Sequence, residues 1–160
     1  MRWTKKFHNI KNIVVDYTNF LSSYYHRLFF GSLIKKGRKF FAFNFFLTVK
    51  KLLKKKEHFD PYLILFVSLL HVTPEVLLGI LPLGSVRYGV PLPINEFKRI
   101  TFAIKWVIKL SKDKLKRLKP IDISNLLLEA LYWKGDSINK LLEVYNIAEM
   151  NRHLVRKLFK

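Results

Sequence analysis

A chain of 160 residues that is half hydrophobic has the length and apolar content of one folded domain, which excludes a disordered tail. It has no cysteine, which excludes disulfides, zinc ribbons and thiol nucleophiles. Thirty Lys and Arg against eleven Asp and Glu leave a net charge of +19, and so large an excess calls for a polyanionic partner, either nucleic acid or an anionic membrane surface.

Residues 1–18 read as a basic extension and 19–160 as a single helical domain. The first 20 residues contain no uninterrupted apolar run, so a secretory signal is not expected, while a mitochondrial import sequence stays open. An aromatic-rich helix is expected from about Asn19 to Ile34. It is stopped at Gly37 within "KKGRK", where cations suit the helix C-terminus. A second helix runs from about Arg38 to Lys55 and becomes wholly basic at its end. Asp60 and Pro61 then form a cap and a first helical position, opening a third, apolar helix of about a dozen residues. That is short of the roughly 20 residues needed to span a bilayer, so no membrane span is expected.

The interval 74–94 breaks the helical pattern. Within it, "LLGILPLG" and "SVRYGVPLP" can pair as two short strands about a Gly84–Ser85 turn, giving a β-hairpin at about 76–94 between helices 3 and 4; an irregular loop is the alternative. Asn95 caps a fourth helix, "EFKRITFAIKWVIKLSKDK". At about 100° per residue, Lys98, Lys105, Lys109 and Lys112 share one narrow arc of it. Ile100, Ala103, Ile104, Val107, Ile108 and Leu110 lie on the other side. A fifth helix is expected from Asp122 to Lys134, stopped by Gly135, and a sixth from a cap at Asp136 to the C-terminus. The fold class is therefore mainly α, a six-helix bundle with a projecting β-hairpin arm.

Catalysis finds little support. His8, His26, His58, His71 and His153 show no metal-ligand spacing, and the acids are scattered, with Asp60, Asp122 and Asp136 read as N-caps. "GSLIKKGRK" fails as a phosphate loop because its glycines are too far apart and Arg38 replaces the lysine. Neither enzymatic activity nor a cofactor or metal is expected.

The charge is concentrated. Residues 1–60 carry a net +11 and 94–119 a net +7, while 61–93 are neutral. Such clusters suit a phosphate backbone, because each contact releases counterions. The candidate RNA-binding groups are Lys35, Lys36, Arg38 and Lys39 in the turn; Lys50, Lys51, Lys54 and Lys55 on helix 2; and Lys98, Arg99, Lys105 and Lys109 on helix 4. Lys116 and Arg117 follow that helix. Arg87 and Tyr88 differ in kind, since an arginine plane and an aromatic ring on a ribbon suit unpaired bases. Trp106 reads as core. Fourteen Phe against four Ala, with 22 of the 30 basic residues being Lys, further suggests the A/T-rich codons of an organellar genome.

Four stretches together carry a resemblance: "LIKKGRK" (33–39), "GSVRYGVPLPI" (84–94), "KRITFAIKWVI" (98–108) and "AEMNR" (148–152). Their order and spacing are similar to those of the small-subunit ribosomal protein seven family over roughly residues 19–160. The resemblance implies binding to the 3′ major domain of small-subunit rRNA, nucleation of head assembly, and neighbours among the head and platform ribosomal proteins. It also implies that the hairpin and last helix, with Arg87, Tyr88, Arg152 and Arg156, lie near exit-site tRNA and mRNA. Two departures stand out. Leu81–Pro82 occupies the place of the family's arginine pair before the hairpin tip, leaving Arg87 as a partial substitute, and of the basic cluster near the start of the last helix only Lys140 is present. The expected setting is a mitochondrial small subunit, a plastid being the lesser alternative. An organelle membrane-associated protein and a helix-turn-helix DNA binder using helices 4 and 5 are the rival readings.

Overall fold

The computed structural model describes residues 24–115 and 118–158. In chain order these form α1 (24–33), α2 (Lys39–Lys56), α3 (Pro61–Val72), β1 (Val76–Leu83), β2 (Val86–Pro93), α4 (Glu96–Leu115), α5 (Pro120–Leu131) and α6 (Asp136–Met150). A 3-10 turn (Arg152–Leu154) and the single-turn α7 (Val155–Leu158) follow. The expected architecture of six principal helices with a hairpin between the third and fourth is what the chain adopts.

Local chemistry sets most of the boundaries. α1 ends where Lys36 and Gly37 both take left-handed backbone, φ 50° and 72°, and Arg38 N–H bonds back to Lys35 O at 3.1 Å. At α3 the Asp60 carboxylate accepts from Tyr62 N–H at 3.1 Å, with Pro61 in the first turn where no amide donor is missed. Asn95 Oδ1 accepts from Phe97 N–H at 3.4 Å at the head of α4.

Three expectations need correction. Asp122 and Asp136 are not N-caps: Lys119 and Gly135 hold those positions, and both aspartates sit inside the first turn, where their charge favours the helix N-terminus. α5 stops at Leu131, short of Lys134. There Trp133 turns left-handed with φ 55°, and its ring lies against His71 with centroids 4.9 Å apart. Gly135 reverses the chain with φ 85°, and a Cβ there would fall 2.3 Å from a Glu129 carboxylate oxygen. Finally, α6 does not run to the C-terminus but breaks after Met150. Arg152 therefore sits in the 3-10 turn and Arg156 in α7, rather than on the last long helix.

α5 is the packing centre, meeting α2, α3, α4 and α6. Its Ile123, Leu126, Leu127 and Ala130 are buried with Leu65, Leu69 and Val72 of α3, Val49 and Leu53 of α2, and Ala103, Ile104 and Val107 of α4. α1 adds Phe29, whose ring lies 6.0 Å from that of Phe46. This continuous core fixes the directions of the exposed faces of α2 and α4.

β1 and β2 pair antiparallel from Val76↔Pro93 to Leu83↔Val86, turning at Gly84 with φ 61°. In a two-stranded ribbon both strands are edges, so Pro82, Pro91 and Pro93 are tolerated. The ribbon is fastened to α6: Glu75 N–H donates to Tyr145 Oη at 3.2 Å, and Asn151 Nδ2 donates to Gly89 O at 2.9 Å. A Cβ at Gly89 would meet Ile147 Cγ2 at 3.5 Å, ordinary van der Waals contact, so α6 lies directly alongside the strand there.

Candidate RNA interface

Helical geometry turns the candidate cations outward because the opposite faces are apolar. On α4, Ile100, Ala103, Ile104, Val107 and Ile108 are buried, while Lys98, Lys105 and Lys109 are exposed on the far side. Lys105 Nζ stands 5.8 Å from the centre of the Phe102 ring. Arg99 is set apart from this ridge. It is half-buried and its Nε donates to Pro74 O at 3.1 Å, joining α4 to the segment that leads into β1. Trp106 is half-buried and packs on the core, as its helical position suggested.

On α2, Lys51, Lys54 and Lys55 are exposed. Lys50 is not a free surface charge: its ammonium lies 3.6 Å from the Tyr62 ring centre and 4.6 Å from that of Phe46, and it hydrogen-bonds the Tyr62 hydroxyl. Lys56 reaches Asn125 of α5. Lys35, Lys36, Arg38 and Lys39 are all exposed at the α1–α2 turn. Lys116 and Arg117 lie outside the described residues, but Leu118 beside them lines one cleft with Lys35 and Arg38. The turn and the α4–α5 junction, some 80 positions apart in the chain, are thus neighbours in space.

Several acids are engaged elsewhere. Asp60 caps α3. Glu143 pairs with Lys140 at 2.7 Å, and Glu149 lies 3.8 Å from Arg152 on an exposed surface where such a pair is worth little. Glu57 accepts from the Tyr132 hydroxyl at 2.7 Å; that hydrogen bond, with some desolvation and the carboxylate's charge, raises the phenol above its ordinary pKa. Glu149, however, belongs to the C-terminal candidate group itself, lining the same clefts as Arg152.

Arg87 and Tyr88 are both exposed, but successive strand residues point to opposite faces. Arg87 shares its face with Gly89 and Pro91, the side packed on α6, whereas Tyr88 shares the other with Val90. The pair cannot grip one base together. Pro91 and Arg152 line a common cleft, and Arg152, His153 and Arg156 line the next. Arg152 and Arg156 therefore share one region with the base of the arm at Pro91, whereas Arg87 lies near its tip.

Sequence reasoning missed the phenylalanines of the first turn of α2. In "FFAFNFF" (40–46), Ala42, Phe45 and Phe46 are buried, but Phe40, Phe41 and Phe43 are 78%, 68% and 49% exposed. The helical register of that run was the available signal, since three of its rings fall off the core arc.

Among the described residues no helix is long and apolar enough to cross a membrane. The family model for Ribosomal protein S7p/S5e matches residues 4–152, nearly the whole chain and all four stretches that carried the resemblance. This family consists of structural ribosomal proteins rather than enzymes. The chain belongs to the ribosomal protein S7p/S5e family, and its place is in the small ribosomal subunit, in translation.

Proposed function

We propose that this protein binds the 3′ major domain of small-subunit rRNA and nucleates assembly of the subunit head, in a mitochondrial ribosome. The build of α4 carries the reading, with a buried apolar face and the exposed Lys98, Lys105 and Lys109 behind it. A cationic ridge held rigid by a core screens phosphates without first having to be ordered, so backbone segments that repel one another can converge on it. The α1–α2 turn and the exposed lysines of α2 extend the same footprint. The arm, with Arg87, and the C-terminal segment, with Arg152 and Arg156, face exit-site tRNA and mRNA, and head and platform proteins are the neighbours. The Phe-rich, Lys-rich and Ala-poor composition supports the mitochondrial setting.

Competition binding tests this reading. A transcript of the 3′ major domain should outcompete both the 5′ domain and duplex DNA, with affinity falling steeply as salt rises. Equal competition by duplex DNA would favour a DNA-binding helix pair and overturn the proposal. For the compartment, the protein should sediment with the mitochondrial small subunit after salt-washed membranes are removed; recovery in the membrane pellet would contradict it.

A further inference from the structure

We propose that the cleft between the α1–α2 turn and the α4–α5 junction receives one unpaired RNA base, stacked on Phe41. The cleft measures about 240 Å³ and is lined by Leu33, Lys35, Arg38, Phe41 and Leu118. Leu33 is buried and Leu118 half-buried, so they give it an apolar floor. Phe41, 68% exposed, supplies a ring, and Lys35 and Arg38 are exposed cations at the rim. None of the described lining residues is acidic.

The charge on the rim selects the occupant. An apolar peptide gains nothing from two flanking cations, whereas a nucleotide offers an apolar face and a phosphate together. A base inside a duplex has both faces covered by its neighbours, so only a looped-out or bulged base can reach the ring. Lys35 and Arg38 would then neutralise the phosphates on either side of it. The inference rests on the RNA-binding reading above and assigns to Phe41 a role the cations alone do not supply. Phe40 lies on the same turn but does not line the cleft, which makes it the internal control.

Two RNA hairpins of equal length test the assignment, one with a single bulged nucleotide and one with an abasic residue at that position. Both keep the same phosphates and the same flexible joint. The full chain should prefer the base-bearing probe by about tenfold, within the range that stacking gives. Phe41→Ala should remove that preference without changing the salt slope, and Phe41→Tyr should retain it. Phe40→Ala should also retain it, while Lys35→Ala with Arg38→Ala should weaken both probes and flatten the slope. Since Phe41 is largely exposed, unchanged thermal melting of its variants verifies the fold. Equal wild-type affinity for the two probes, with steep salt dependence intact, overturns the base cleft and leaves RNA binding standing, as does equal loss in Phe40→Ala. Failure to bind either probe overturns the RNA-binding reading itself.

Discussion

The hairpin arm and α4 are neighbours in sequence, separated by Ile94 and Asn95, yet they are stabilised in opposite ways. α4 buries a continuous stripe from Ile100 to Ile108 in the main core, and its cations follow from helical periodicity alone. The arm buries Val90 outside that core and is held to α6 by Ile147 packing and two hydrogen bonds. One region is a rigid ridge with many charges; the other is an attached ribbon with Arg87 as its single basic side chain. On the function proposed above, the difference separates a surface that would bind by charge from one that would bind by position.

Core substitutions should expose this contrast most strongly. Ile104→Ala removes a buried side chain from the body and should cost about 3 kcal/mol, within the usual range for such truncations. Its urea midpoint should fall for every probe together. Val90→Ala should cost only about 1.5 kcal/mol by the methyl groups lost, and amide exchange should quicken in residues 76–93 before the rest. Global unfolding in both variants to the same extent would show the arm to be part of one cooperative core.

Charge removal comes next. Replacing Lys98, Lys105 and Lys109 together by Ala should reduce the magnitude of the salt slope by about 2, so that the loss of affinity between 50 and 200 mM salt shrinks about 16-fold. Arg87→Ala should change it by no more than about 1, and should instead alter crosslinks to exit-site tRNA or mRNA. Arg99 is left out of the triple variant because its bond to Pro74 O would confound lost charge with a loosened entry to the arm. An equal slope change from Arg87 alone would move the charge-reading surface onto the arm.

What the sequence disclosed follows the same division. The ridge, the Asp60–Pro61 start of α3 and the Gly84–Ser85 turn were legible because each is fixed by neighbours a few positions away. The glycine and proline pattern leaves a hairpin and an irregular loop both open, the family likeness favours the hairpin, and only the structure gives the strand register. What stayed hidden depends on distant partners. Lys50 reads as a phosphate ligand until Tyr62, twelve positions on, is seen beneath its ammonium. Arg99 reads as part of the ridge until Pro74 O takes its Nε. The end of α5 at Leu131 depends on the Trp133 ring meeting His71, and the break after Met150 on Asn151 reaching Gly89. Helical periodicity assigns a side chain to a face, but cannot report what another element brings to that face.

The smallest effect addresses how the arm is aimed. Asn151 leaves the end of α6 and donates to Gly89 O, two residues from Arg87 along β2. Asn151→Ala should cost about 1 kcal/mol, the net worth of one hydrogen bond, and should accelerate amide exchange in 86–93 about fivefold. Tyr145→Phe removes the second fastening, at Glu75 N–H, and should loosen 76–83 by a similar factor. RNA affinity and salt slope should hardly move in either variant, because the ridge is untouched. Crosslinks from Arg87 should spread over more nucleotides as the ribbon swings. If those crosslinks stayed sharp while exchange accelerated, the RNA itself would be orienting the arm, and the two hydrogen bonds would matter only before the subunit assembles.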